Sequence, residues 1–180
     1  LLALARYSRT SDSMEEIDLG MLVEEAIELL TDKINECGAT IAWDGLPRVR
    51  GDRQLLMQVL LNLLGNGLKY RSEAPPAITV TTEECDGDWI LGVKDNGIGI
   101  PREKQEQVFA PFKRLHAQHE YAGSGIGLSI CRKIIEHHKG AIWVESAPGE
   151  GAHFRFTIGW KPEAKPAPRL DDTPRPTFVK

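Results

Sequence analysis

Apolar residues recur at every third or fourth position in several long stretches of the chain, with polar residues between them. This spacing places the apolar side chains on one face of an α-helix. The strongest stretch follows Asp52, a residue type that caps helix N-termini well, and its apolar face is almost entirely leucine. The pattern predicts helices from Asp18 or Leu19 to Cys37, from Arg53 to Tyr70, from Arg102 to Phe109 and from Ile126 to His138.

Between these stretches the chain alternates apolar and polar residues or carries short apolar runs, as β-strands do. Turn residues at 86–88 and at 148–151 indicate two hairpins. The predicted strands are Thr40–Trp43, Pro47–Arg50, Ala77–Glu83, Trp89–Lys94, Ala141–Glu145 and His153–Ile158. Together these elements predict an α+β fold, a two-layer sandwich in which helices pack on one face of a mixed β-sheet.

The composition of the 180 residues, 41% hydrophobic and 27% charged, is enough for one sizeable core. A net charge of -4 without a basic stripe argues against nucleic acid as the main partner. No apolar run is long enough to span a bilayer, and no secretion signal is evident. The three cysteines are widely spaced, which is typical of reduced residues in a cytoplasmic protein.

Both ends of the chain differ from its centre. Residues 1–10 resemble the last turns of a helix whose beginning is missing, and we expect residues 11–17 to be a linker. Residues 161–180 are rich in proline and lack periodicity, so they are predicted to be a disordered tail. The sequence therefore predicts one central domain, residues 18–160, within a piece cut from a longer protein.

The first of four blocks with candidate chemistry is Asn62–Tyr70 on the second long helix. Asn62, Asn66 and either Lys69 or Tyr70 are spaced by three or four residues and so share one face. An amide oxygen is a suitable ligand for Mg²⁺, and a lysine one turn later can meet phosphate oxygens. The alternative is a helix with two exposed amides and a solvated lysine.

The second block, Asp95–Ile100, follows a predicted strand. A carboxylate at a strand end can accept the amino proton of adenine, and glycines let the backbone approach a flat base. The alternative is an ordinary Asn-Gly hairpin turn. Against that turn, the block continues through Pro101 into a predicted helix rather than into a returning strand.

The two remaining blocks lie farther along the chain. Val108–Phe112 places two phenylalanines around a proline, which is as typical of an ordinary core as of a loop anchor. Gly123–Leu128 is glycine-rich and directly precedes a predicted helix. Backbone N–H groups at a helix N-terminus bind anions, because they lack partners and the helix dipole favours negative charge there.

The order of the four blocks resembles the ATP-binding domain of histidine kinases, where they are called the N, G1, F and G2 boxes. The resemblance covers residues 18–158, and the lid sequences 112–116 and 120–128 look most like those of kinases linked to phytochrome or PAS sensors. The chain lacks the GK[ST] of a P-loop, and no GxGxxG follows its first strand. One departure is Gly67, where the family usually has alanine.

The resemblance implies a site for ATP and Mg²⁺. Asn66 would be the metal ligand, Asn62 would line the phosphate site, and Asp95 would bind the adenine amino group. Lys69 would contact phosphate, and Tyr70 would contact the sugar or base. Residues that would line the base pocket are Gly97, Ile98, Gly99 and Ile100, with Thr157 beneath the adenine. A mobile lid over residues 113–124 would include Lys113 and Arg114, and the residues that would wrap the phosphates are Gly123, Ser124, Gly125, Ile126, Gly127 and Leu128.

The histidines decide which part of a kinase this would be. None of the five lies on a long helix in the context of a phosphoacceptor, so the acceptor is expected upstream of residue 1. The resemblance then implies the phosphoryl-donor domain of a two-component sensor kinase. Its implied partners are the phosphoacceptor and dimerisation helices of the same kinase, a second copy in a homodimer, and a response regulator.

Two other functions agree less well with these residues. Hydrolytic ATPases of the same superfamily place a glutamate one turn before the metal-binding asparagine as a general base. Asn62 occupies that position and is not a base, which favours transfer to an already nucleophilic imidazole. A non-catalytic binding module is disfavoured because Asn66, Asp95 and the lid glycines are all intact.

Overall fold

A computed structural model describes residues 14–85, 88–113 and 125–159. The predicted helix end at residues 1–10, all of the predicted lid over residues 113–124 except Lys113, and the predicted tail at residues 161–180 lie outside those ranges. Within the described residues the elements are, in chain order, β1 (Met14–Asp18), α1 (Leu19–Cys37), β2 (Thr40–Trp43), β3 (Arg48–Asp52), α2 (Arg53–Lys69), β4 (Ala77–Cys85), β5 (Asp88–Asp95), two 3₁₀ turns (Arg102–Lys104 and Gln107–Phe109), α3 (Gly127–His137), β6 (Ile142–Ser146) and β7 (Ala152–Thr157).

Five strands form one mixed sheet in the order β2-β4-β5-β7-β6. β2 runs parallel to β4, and the other neighbours are antiparallel. Phe154 and Phe156 on β7 pair with Val93 and Leu91 on β5, and all four join the core beneath the helices. The predicted α+β sandwich, with helices on one face of a mixed sheet, is confirmed.

Two local predictions are corrected by the structure. Residues 14–17, assigned to the linker, belong to β1, which pairs antiparallel with β3. Of that strand only Ile17 is buried, so its sequence carries no alternating signal. The helix predicted from Arg102 to Phe109 is instead two 3₁₀ turns, because only Val108 and Phe109 are buried in this stretch and no described side chain caps either turn.

The start of α2 is fixed by contacts from both sides. The side chain of Asp52 accepts hydrogen bonds from the backbone N–H groups of Gln54 and Leu55, at 3.0 and 3.1 Å. The backbone N–H of Asp52 donates to Nε2 of His138 at 2.9 Å, and Nδ1 of that ring donates to the carbonyl of Ile134 at 2.7 Å. This buried histidine therefore links the end of α3 to the start of α2, which carries the first candidate block.

Two histidines shielded from solvent should make the fold less stable in acid. Burial lowers the pKa of His153 from 6.5 to about 4, and burial also lowers the pKa of His138. Below pH 6.5 these histidines take up protons in the unfolded chain but stay neutral in the folded chain. Their contribution to the free energy of unfolding is therefore fully present above pH 6.5 and is lost as the pH falls towards 4. For His153 the loss is on the order of 2–3 kcal/mol.

Urea unfolding at a series of pH values between about 7.5 and 4.5 measures this loss. His153→Gln keeps a partner for the Thr81 hydroxyl, which lies 2.9 Å from Nε2, but cannot titrate. We expect the variant to lose less stability in acid than the parent chain does. Identical pH profiles for the two proteins would show that His153 does not contribute to the loss of stability in acid.

Candidate functional site

The polar face of α2 forms one wall of the candidate site. Asn66 is half-buried, and its side chain makes no hydrogen bond to any described residue. A Cβ added at Gly67 would lie 2.7 Å from Cδ1 of Ile78 and 3.4 Å from Cβ of Asp95. The glycine that departs from the family pattern therefore lets α2 approach the sheet next to the second candidate block.

Asn62 connects this wall to the start of α3. Its Nδ2 donates to the carbonyl of Gly127 at 3.4 Å. Among the described residues, no side chain caps the N-terminus of α3, where Ile126 is the capping residue. The first backbone N–H groups of a helix have no partner within the helix, so an uncapped start is suited to an anion. The first and fourth blocks thus meet through this contact.

Asp95 lies at the end of β5 with one carboxylate oxygen bonded twice. Oδ1 accepts hydrogen bonds from the backbone N–H of Gly97 at 2.9 Å and of Ala152 at 3.1 Å. Oδ2 has no partner among the described residues. Burial raises the pKa of Asp95, and the two backbone bonds oppose that shift. The carboxylate is therefore held in place with one oxygen left to accept a proton donor.

The loop after Asp95 is pressed against the end of α2. A Cβ at Gly97 would lie 2.2 Å from the carbonyl oxygen of Tyr70, and the N–H of Ile98 donates to the same carbonyl at 3.0 Å. Gly99 has a φ of +73° and passes so close to Ala147 that no larger residue fits. Glycine is required at both positions because a neighbouring segment of protein backbone lies too close for a side chain.

Lys69 and Tyr70 contact each other at the end of α2. Nζ of Lys69 donates to the Tyr70 hydroxyl at 2.8 Å and lies 4.3 Å from the centre of its ring. The pair lies beside the loop of the second block, because the Tyr70 carbonyl binds Ile98. The ammonium group of Lys69 keeps two further N–H donors for another acceptor.

The two ends of the predicted lid meet at its base. The N–H of Phe112 donates to the carbonyl of Gly125 at 3.1 Å, and Lys113 is exposed just beyond it. Arg114, Gly123 and Ser124 lie outside the described residues. In the third block Phe109 is buried and packs edge-on against Phe154, with ring centres 6.2 Å apart, so it is a core residue.

Thr157 is not brought to this site. Its Oγ1 accepts the N–H of Ala141 at 3.0 Å, and it pairs with Ile90 on β5. Asp95 instead lies beside Ala152, five residues away on β7, which corresponds to about 16 Å of strand. The placement of Thr157 beneath the adenine is therefore wrong, because a threonine in a strand does not reveal which end of that strand faces the loop.

Three contributors to the site were missed from the sequence. They are the N–H of Ala152, which binds Asp95, and the side chains of Ser146 and Gln105, which contact the second block. The Pro-Gly-Glu-Gly turn, which returns β7 to this end of the sheet, is a sequence signal for Ala152, whereas no local pattern marks Ser146 or Gln105.

The chain is similar to a known protein family and to curated proteins over most of its length. Residues 51–162 match the family described as histidine kinase-, DNA gyrase B-, and HSP90-like ATPase. Cyanobacterial phytochrome A from Nostoc sp. strain PCC 7120 is 42% identical over 158 residues, which cover 88% of this chain and 21% of that protein. The chain thus spans about a fifth of that relative's length.

No helix within the described residues is both long and apolar enough to cross a membrane.

Two solved histidine kinases share the fold. The catalytic domain of ThkA in a nucleotide-free form has a TM-score of 0.69 and 35% identity, covering 84% of this chain and 98% of that one. Full-length ShkA in complex with AMPPNP has a TM-score of 0.72 and 29% identity, covering 88% of this chain and 33% of that one. ThkA has also been solved in complex with the response regulator TrrA.

Proposed function

The chain belongs to the family of histidine kinase-, DNA gyrase B- and HSP90-like ATPases, and we propose that it donates the γ-phosphoryl group of ATP within a longer sensor histidine kinase. The observation that carries this proposal is the order of contacts along α2. Asn62 meets the start of α3, which no described side chain caps, whereas Gly67 and Tyr70 meet Asp95 and its loop. An anion site and a base site thus lie along one helix, about 12 Å apart.

Mg²⁺ fits the side chains at this site. The amide oxygen of Asn66 is a hard ligand, and its side chain is not occupied by another described residue. No cluster of three His, Cys, Asp or Glu side chains that could hold a metal occurs among the described residues. Mg²⁺ commonly keeps several waters and binds through one or two protein ligands together with substrate phosphates. Bound there, it would neutralise charge on the phosphates.

Transfer to a histidine is proposed over hydrolysis. Asn62 is an amide, already bonded to Gly127, and cannot act as the base that water requires. Phosphoryl transfer to a nucleophilic imidazole needs mainly positioning and charge neutralisation, which the start of α3 and Asn66 would supply.

The acceptor is proposed to lie in another part of the longer protein. His138 is buried with both ring nitrogens bonded, and His153 is half-buried against Thr81. His137 is exposed at the end of α3, at the opposite end of that helix from the start that Asn62 contacts. His116 and His119 lie outside the described residues. The proposed partners are the phosphoacceptor and dimerisation helices, a second copy and a response regulator, in a cytoplasmic setting.

Removal of the amide at position 66 tests the metal-binding role. We expect Asn66→Ala to weaken binding of ATP with Mg²⁺ about 10-fold or more and to change binding in excess EDTA far less, because only the metal-bridged contact is lost. Isothermal titration under both conditions measures the two affinities. Asn35→Ala on the exposed face of α1 is the matched control and should bind as the parent does. Equal losses with and without the metal would remove Asn66 from the metal site.

A further inference from the structure

The Ser146 hydroxyl, at the end of β6, joins two segments that border the base site. These are the glycine loop (residues 96–100) and the return turn (residues 147–151). The N–H of Ile100 donates to Oγ of Ser146 at 2.8 Å, and that hydroxyl donates to the carbonyl of Gly151. One side chain thus fixes the end of the glycine loop to the residue before Ala152.

Gln105 holds the same junction from the other side. Its Nε2 donates to the carbonyl of Ser146 at 2.7 Å and to the carbonyl of Ile100 at 3.3 Å. The Gln105 side chain therefore bridges Ile100 and Ser146, which are also joined by the hydrogen bond from the Ile100 N–H to the Ser146 hydroxyl. Loss of either side chain leaves a half-buried backbone group at this junction without its partner.

The return turn also contacts Asp95 and the glycine loop directly. The N–H of Ala152, next to Gly151, binds Oδ1 of Asp95. A Cβ at Gly151 would lie 2.0 Å from the carbonyl oxygen of Asp95, and Gly149 donates to the carbonyl of Ile98 at 2.8 Å. A shift of the return turn therefore moves the carboxylate and the glycine loop together.

We propose that Ser146 and Gln105 are positioning residues that set the preference of this site for adenine over guanine. The inference rests on the proposed nucleotide-binding function. Adenine presents an amino donor where guanine presents a carbonyl acceptor. A fixed carboxylate accepts a hydrogen bond from the adenine amino group and repels the guanine carbonyl. A carboxylate that can move away allows a water molecule to lie between it and guanine, which reduces the repulsion. Selectivity therefore depends on how firmly the junction holds Asp95.

The experiment compares the dissociation constants of ADP and GDP by isothermal titration. Ser146→Ala and Gln105→Ala are the test variants, and Ser146→Thr retains the hydroxyl. Gln107→Ala is the matched control, because that side chain binds only the nearby carbonyl of Glu103 among the described residues. A variant that merely unfolds in part weakens both nucleotides by the same factor and leaves the ratio of the two constants unchanged.

We expect each test variant to weaken ADP binding about 10-fold and GDP binding much less, so that the ratio falls about 5-fold or more. Ser146→Thr and Gln107→Ala should keep the parental ratio. An unchanged ratio in both Ser146→Ala and Gln105→Ala overturns the inference while leaving the nucleotide site standing. Absence of ADP binding by the parent chain would instead overturn the proposed function as well.

Discussion

Asp95→Asn is expected to remove detectable binding of adenine nucleotides while leaving the fold intact. The asparagine oxygen can still accept the N–H groups of Gly97 and Ala152, so the loop keeps its anchor. The amide nitrogen then takes the place of Oδ2 and presents two donors to the donor group of the base. Replacement of a charged acceptor by a facing donor costs about 3 kcal/mol or more, which corresponds to roughly 100-fold in affinity.

Titration with ADP measures this loss, and thermal unfolding shows whether the fold survives. Asp44→Asn makes the same chemical change in an exposed loop and should leave affinity unchanged. A parental affinity in Asp95→Asn, with a parental melting temperature, would remove Asp95 from the site.

The second large effect concerns self-phosphorylation. Incubated with ATP and Mg²⁺, this chain should acquire no acid-labile label, and its ATP hydrolysis should be slow. When no acceptor histidine is held next to the bound ATP, the reaction loses the lowering of its activation barrier by proximity, which is worth about 7–11 kcal/mol. None of the described histidines is both accessible and close to the start of α3. Water is a poor substitute, because Asn62 stands where a base would be needed.

Radioactive ATP followed by acid and base treatment of the protein measures this outcome. His137→Gln is an informative companion, since that histidine is exposed. Base-stable, acid-labile label that disappears in His137→Gln would make the end of α3 an acceptor. Label that persists in this variant would direct attention to the histidines near residue 119.

The sequence was sufficient where one physical signal dominated. The leucine face of α2 and the cap at Asp52 predicted the position of α2 to within a residue. The glycine-rich blocks were informative because their spacing reflects close backbone approach, as at Gly97 against Tyr70. Four such blocks in order predicted the family that the comparisons then showed.

The sequence failed where structure depends on a distant partner. β1 is held by its pairing with β3 and by the ion pairs of Arg48 with Glu16 and Asp18, none of which leaves a periodic pattern. Thr157 was misplaced for a related reason, since strand register decides which residue of β7 reaches Asp95. The roles of Ser146 and Gln105 likewise arise from contacts with backbone groups that no local pattern specifies.

Phosphoryl transfer in trans tests the central claim most directly. The chain is mixed with a separate protein that carries a histidine phosphoacceptor on a dimerising helical hairpin, and labelled ATP is added with Mg²⁺. The account predicts acid-labile label on the hairpin histidine that requires this chain and is lost with Asn66→Ala and with Asp95→Asn. Rapid release of inorganic phosphate without any labelling of the hairpin, in a chain that binds ATP, would contradict it and favour a hydrolytic ATPase.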